Sequence, residues 1–123
     1  MIPIFKPYMP KNVMPELEAL LYSGKLAYGC YGKAFESSLS DYIGNPYILT
    51  VSNYNQAMLM AITILELQVG DEVIASPVSC LASNQPFITK GSKVVWADVE
   101  PETGALSVDD VKKKITSKTK AIF

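Results

Sequence analysis

Pro46–Leu67 reads PYILTVSNYNQAMLMAITILEL. It opens on a short apolar run and closes on an apolar stretch of helical length, with Ser52, Asn53, Tyr54, Asn55 and Gln56 between them. An apolar run that passes into a helix through small polar residues is the strand–turn–helix unit of α/β folds. The reading predicts a buried strand over 46–51. It also predicts a helix over 55–67, apolar on most faces and therefore buried. Orphan N–H groups and the helix dipole favour an anion at such a helix start. A phosphate-cradling turn ordinarily carries Gly, which freely adopts backbone angles that Tyr resists, and here Tyr54 stands in the turn.

Downstream the alternation continues. DEVIAS (71–76) reads as a strand, and ASNQPFITK (82–90) as a helical piece kinked or delayed by Pro86. SKVVWADV (92–99) reads as a strand and EPETG (100–104) as a turn. Ser107 with Asp110 resembles a capping arrangement for the helix VDDVKKKI (108–115), and KTKAIF (118–123) is a further strand. Upstream, Pro3, Pro7 and Pro10 predict an extended arm. Asn12 is the expected cap of a helix reaching about Tyr22, with Pro15 in its first turn and Gly24 as its stop. LAYGCYG (26–32) reads as a loop bracketed by Gly29 and Gly32. Phe35, Leu39 and Tyr42 then fall at helical spacing, and Gly44 ends that helix.

Strands alternating with helices predict an α/β layer with a largely parallel sheet. Ligands in such folds sit beyond the carboxyl ends of the strands, where SNYNQ and SPVSC both lie. Neither a repeat nor a linker divides residues 1–123, so one domain is expected. The final strand is cut at Phe123, which reads as part of something longer, and its unfinished edge predicts self-association.

Composition narrows the function. The chain has 123 residues, 49% of them hydrophobic, as a folded domain requires. Eleven Lys and Arg against twelve Asp and Glu leave no basic excess for nucleic acid. MIPIFKPYMP lacks the pattern of a signal peptide, and no apolar run reaches the roughly 20 residues that span a bilayer. Cys30 and Cys80 read as free thiols of a reduced, cytoplasmic protein, with a disulfide between them as the alternative. With no His, two lone Cys make no zinc site.

The ordered stretches IPIFKPYMP, SGKLAYG, FESSLSDYIG, VSNYNQAML, GDEVIASPVSCLASNQPF, GSKVVWADVEPETG and ITSKTKAIF resemble the N-terminal part of the DegT/StrS-type nucleotide-sugar aminotransferases. The resemblance covers essentially the whole chain. It implies the N-terminal portion of the large domain of the pyridoxal-phosphate (PLP) transferase fold, the aspartate aminotransferase fold or fold type I: α/β, mostly parallel, with flanking helices. In that family a Lys holds PLP as a Schiff base, and nitrogen passes from a donor such as glutamate to a keto group on a nucleotide-linked sugar. The products feed surface polysaccharide, lipopolysaccharide or antibiotic sugars. A homodimer is implied as well.

The family reads Ser-Gly-Thr, or a near variant, where this chain has Asn53, Tyr54, Asn55 and Gln56, so the resemblance implies that these four hold the PLP phosphate. The alternative is a plain helix cap by Ser52 or Asn53, a geometry a phosphate can also use. Many members stack an aromatic side chain on the pyridine ring at the place of Cys80. Its polarizable sulfur can contact a ring, and no His is present to make it a nucleophile. The alternative is a small residue packed at a strand end. LAYG matches a loop near the sugar-nucleotide site, which offers Tyr28 and Tyr31 to substrate, to a partner subunit or to packing.

Glu100 and Glu102 read as solvated turn residues, Lys112–Lys114 as a solvated helix face, and Trp96 as packed in the core or against a neighbour. The family's Schiff-base Lys and the acid on the pyridine nitrogen fall beyond the matched region, so residues 1–123 are expected to be inactive alone. Two other readings stand beside the aminotransferase: a non-catalytic interaction module that keeps the fold, and a PLP-dependent sugar dehydratase in which another residue replaces the Lys.

Overall fold

The structure, a computed structural model, describes residues 4–123. They form two compact units, Met1–Thr50 and Val51–Phe123.

The first unit carries α1 (Met14–Tyr22) and α2 (Cys30–Ile43). Pro15 is tolerated in the first turn of α1, where its missing N–H would have no intrahelical partner. The cap differs from expectation: Val13, in helical backbone, takes the N-cap position and makes no side-chain bond, so Asn12 is not the cap. At the other end Ser23 Oγ donates to the Leu20 carbonyl at 2.7 Å. α2 begins earlier than the glycines suggested. Gly29 is its N-cap, so Cys30, Tyr31 and Gly32 form its first turn rather than a loop. Gly44 ends it, as expected, in the left-handed region.

The second unit is a three-stranded parallel sheet with helices. α3 (Tyr54–Ile64) leads to β1 (Glu72–Ala75), then α4 (Leu81–Thr89), β2 (Lys93–Trp96), α5 (Val108–Lys114) and β3 (Thr119–Ile122). The strand order is β2–β1–β3. β1 pairs with β2 from Glu72↔Lys93 to Ala75↔Trp96, and with β3 through Glu72↔Thr119 and Val73↔Ala121, with an irregularity between Glu72 and Val73. Each crossover runs through a helix, as a parallel sheet demands.

The central strand is buried along its whole length. One face of the sheet joins Val73 to Ile62, Leu67 and Phe87 from the α3 and α4 side. The other joins Ile74 to Ala97 and Val111, the last from α5. α4 runs through Pro86, whose ring is buried, at the cost of one helical hydrogen bond. Asp109 and Asp110 in the first turn of α5, with Lys112–Lys114 in its last, complement the helix dipole.

Four further expectations need correction. Residues 46–51 form no strand, because no ladder partner for them exists among the described residues; Tyr47 and Leu49 are exposed. α3 stops at Ile64, before a left-handed Glu66 (φ 53°), and only Ile62 of its apolar residues is buried, because a three-stranded sheet and one neighbouring helix cover a single stripe of it. Ser107 makes no side-chain cap; Asp110 Oδ2 instead accepts from the Asp98 N–H at 2.6 Å and from Lys114 Nζ at 2.7 Å, tying α5 to the end of β2. Trp96 is not a core residue: it lies at the end of β2, nearly half exposed. The EPETG turn is as expected: the Gly104 N–H donates to the Glu100 carbonyl at 2.8 Å, and both glutamates are exposed.

Candidate functional site

The turn at 52–56 is the start of α3. Asn53 is extended (φ −165°, ψ 170°) and is the N-cap; its Oδ1 accepts from the Gln56 N–H at 3.0 Å. The Ala57 N–H reaches the Asn53 carbonyl at 3.3 Å, closing the first helical ring. Two donors remain at the helix start, the N–H groups of Tyr54 and Asn55, which make no hydrogen bond among the described residues. Asn53 Nδ2 donates to Ser52 Oγ at 3.3 Å. No carboxylate occurs in residues 51–56. This donor set fits a phosphate: free N–H groups at the positive end of an 11-residue helix, with the third N–H already capped.

Tyr54 occupies the first helical position. Glu66 is the one described non-glycine residue with a positive φ. Tyr54 is therefore unstrained, and the expected demand for Gly at this position does not exist in this turn.

The second element follows β1. Ser76–Cys80 carries the chain from the carboxyl end of that strand to α4, and Cys80 is the N-cap of α4, extended and exposed. The loop is laced from within. Val78 N–H donates to Ser76 Oγ at 3.1 Å, Ser79 Oγ donates to the Ser76 carbonyl at 3.0 Å, and Asn84 Nδ2 donates to Ser79 Oγ at 2.7 Å. Asn84 is buried, and its Oδ1 lacks a partner among the described residues. Nothing in the sequence singled Asn84 out. Gln85 follows it in the same helix, so the sequence does not show which of the two amides is buried.

α3 and α4 pack on one another. Because α3 leads into the amino end of β1 and α4 leaves its carboxyl end, topology turns the start of α3 toward the edge that holds Ser76–Cys80. The structure thus brings Asn53–Gln56 and Cys80 into one α/β unit. Tyr28 and Tyr31 belong to the other unit, where they line a cleft of about 730 Å³ with Lys25 and Leu26. Tyr28 precedes α2 and Tyr31 lies in its first turn.

Electrostatics at the edges of the sheet is structural. Glu72 is buried; its Oε2 accepts from Thr116 Oγ1 at 2.6 Å and its Oε1 from Lys93 Nζ at 2.9 Å. Thr116, then Lys93, hold its carboxyl below the usual range. The Asp98 N–H and Lys114 do the same for Asp110. Both cysteines are exposed free thiols. Among the described residues no cluster of His, Cys, Asp and Glu could hold a metal ion, and no helix is long and apolar enough to cross a membrane.

With this geometry in place, comparison with known proteins is specific. Residues 7–123 match the DegT/DnrJ/EryC1/StrS aminotransferase family. The GDP-perosamine synthase of Vibrio cholerae is 34% identical over all of this chain and 34% of its own length. The crystal structure of the sugar aminotransferase CalS13 from Micromonospora echinospora superposes with a TM-score of 0.88 at 30% identity, over 99% of this chain and 33% of that one. The Escherichia coli GDP-4-keto-6-deoxy-D-mannose-3-dehydratase with bound hydrated PLP superposes with a TM-score of 0.84 at 26% identity, over 98% and 32%. The chain spans about a third of the length of the relatives it matches.

Proposed function

The chain belongs to the DegT/DnrJ/EryC1/StrS aminotransferase family, and from that premise we propose that its protein is a PLP-dependent aminotransferase acting on a nucleotide-linked keto-sugar. The observation that carries this reading is the family match across residues 7–123, which includes the α3 turn with its two free N–H donors. The fold is the N-terminal portion of a fold type I domain, a small parallel sheet with flanking helices. We read residues 1–123 as one partial domain of that kind.

Each residue has a role in this reading. The N–H groups of Tyr54 and Asn55 hold the cofactor phosphate at the helix start. Asn53 keeps that start in shape by capping Gln56 N–H, which leaves the Gln56 and Asn55 side-chain amides to add donors. Cys80, at the N-cap of α4, offers its sulfur to the pyridine face in place of an aromatic ring. Tyr28 and Tyr31 present aromatic surface to the sugar nucleotide. PLP, when bound, supplies the electron sink for moving the amino group. The Lys that anchors PLP in the family is not among the residues of this chain that match the family's motifs. The donor is an amino acid, the working form a homodimer, and the compartment the cytoplasm.

The test is made on the intact protein. It is purified with PLP, scanned for cofactor absorbance, and incubated with glutamate and nucleotide-linked 4-keto sugars, with products read by mass spectrometry. Bound PLP and an aminated sugar are expected. A folded protein that takes up no PLP refutes the reading and favours the non-catalytic module. Loss of a hydroxyl in place of amination assigns the dehydratase chemistry of the Escherichia coli relative.

A further inference from the structure

The first unit contains a hydrogen-bonded cluster that the cofactor reading leaves unused. Glu36, half-buried on α2, accepts three hydrogen bonds. Its Oε2 accepts from the Tyr28 hydroxyl at 2.5 Å. Its Oε1 accepts from the Thr50 N–H at 2.8 Å and from Thr50 Oγ1 at 2.7 Å. Eight residues separate Glu36 from Tyr28 and fourteen from Thr50, so a single carboxylate ties three points of the chain. These bonds hold the Glu36 carboxyl below the usual range, Tyr28 contributing most, and the same contact raises the Tyr28 phenol. At neutral pH the acceptor is therefore a carboxylate, and bonds to a charged acceptor are the stronger kind.

The Tyr28 ring is held from a second side. A Cβ placed on Gly32, in the first turn of α2, would lie 2.8 Å from both Cδ2 and Cε2 of that ring. Such an approach is open to Gly alone, so the ring rests against bare helix backbone. With its hydroxyl committed to Glu36 and one side against Gly32, what remains of Tyr28 for a ligand is ring surface. That surface is one wall of the cleft with Lys25, Leu26 and Tyr31.

We infer that Glu36 is a positioning residue: its carboxylate holds the Tyr28 ring as a fixed wall of this cleft, so that the sugar nucleotide meets aromatic surface and not a phenolic hydroxyl. The inference rests on the proposed role of Tyr28 in substrate binding. Physically, the gain is pre-organisation, because an aromatic side chain held at both ends loses no rotamer freedom when a ligand arrives. Lys25, on the same cleft, supplies a cation suited to a diphosphate.

The test uses the intact protein, with two readouts that require no turnover. Tyrosinate absorbance at alkaline pH, with the Tyr28 contribution identified as the part lost in Tyr28→Phe, reads the clamp. Calorimetric titration with GDP-mannose and dTDP-glucose reads the wall. Glu36→Gln is expected to lower the Tyr28 titration and to weaken the bound probe about tenfold, the scale of one lost charged hydrogen bond. Gly32→Ala, which pushes the ring while leaving Glu36 in place, should weaken it similarly. Thr50→Val, which removes one bond on the far side of the carboxylate, should leave probe affinity within about twofold. An unmoved Tyr28 titration in Glu36→Gln overturns the clamp. A moved titration with unchanged probe affinity overturns the positioning role. So does a Thr50→Val loss as large as that of Glu36→Gln, which would mark a general structural tie. Failure of the wild-type protein to bind either probe overturns the substrate role too. Cofactor absorbance in the same sample shows separately whether the PLP reading stands.

Discussion

Tyr54→Gly places in the α3 turn the residue that the sequence resemblance leads one to expect there, and the structure decides the sign of its effect. Were Tyr54 in left-handed backbone, Gly would relieve about 1–2 kcal/mol of strain and stabilise the protein. Tyr54 is instead the first residue of α3, after an extended Asn53. Exchanging Tyr for Gly in helical backbone costs roughly 0.5 kcal/mol in propensity. Tyr54 is 47% exposed, so about half of its ring surface also returns to water, which adds about 1 kcal/mol. The expected outcome is destabilisation by about 1–1.5 kcal/mol. Urea denaturation of the intact protein at pH 7, wild type against Tyr54→Gly, measures it. PLP affinity from a cofactor absorbance titration should change by less than about threefold, because the backbone N–H survives the exchange. A stabilised Tyr54→Gly protein would refute the backbone assignment and with it the claim that the turn is unstrained.

Other perturbations test the frame around that turn. Asn53→Ala removes the acceptor for the Gln56 N–H and should cost about 1 kcal/mol in urea denaturation while weakening PLP uptake. Ile74→Ala, at a side chain with no exposure between β1 and α5, should cost about 2–5 kcal/mol, read from the same curves; less than about 1 kcal/mol would mean the second sheet face is not a packed core. Gly91→Ala places a methyl 3.0 Å from Val69 Cγ2 at φ 84°, and should destabilise by more than about 1 kcal/mol, a loss visible as a lower thermal midpoint. Glu72 has a folded-state pKa below its unfolded value. Its stabilisation is complete above the unfolded carboxylate range and disappears as pH falls through the lowered folded value. Urea midpoints of the wild type should therefore fall on acidification below that range, more steeply than those of Glu72→Gln.

Local patterns carried much of the sheet. DEVIAS, SKVVWADV and KTKAIF each contain the strand expected of them, because alternating or continuous β-branched residues bounded by turn formers leave few other conformations. The boundaries that failed did so where a neighbour decided them. PYILTV has strand composition, yet a strand exists only when another backbone supplies its ladder. Ser107 and Asp110 have capping spacing, yet Asp110 is drawn to the Asp98 N–H and Lys114 across the turn. Gly32 looked like loop punctuation, and it is a bare stretch of helix on which Tyr28 lies.

The candidate site divides the same way. The polar turn before α3 and the loop before α4 were legible, because hydrophobic period and turn chemistry are local and place both at helix starts. Whether Tyr54 was strained was not legible, since a backbone angle depends on how the turn is closed, here by the Asn53 side chain. Glu36 left no trace at all. Its three bonds join residues eight and fourteen positions away, and no periodicity encodes a contact made by the folding of one segment against another. By itself, then, the sequence determined the three strands of the sheet with the helices between them, the parallel α/β class and the places where α3 and α5 begin, because each follows from short-range sterics and patterned burial. Only the tertiary structure decided which apolar run found a strand partner, which N–H groups stayed free and which carboxylate held Tyr28, because each depends on atoms that distant parts of the chain bring within hydrogen-bond reach.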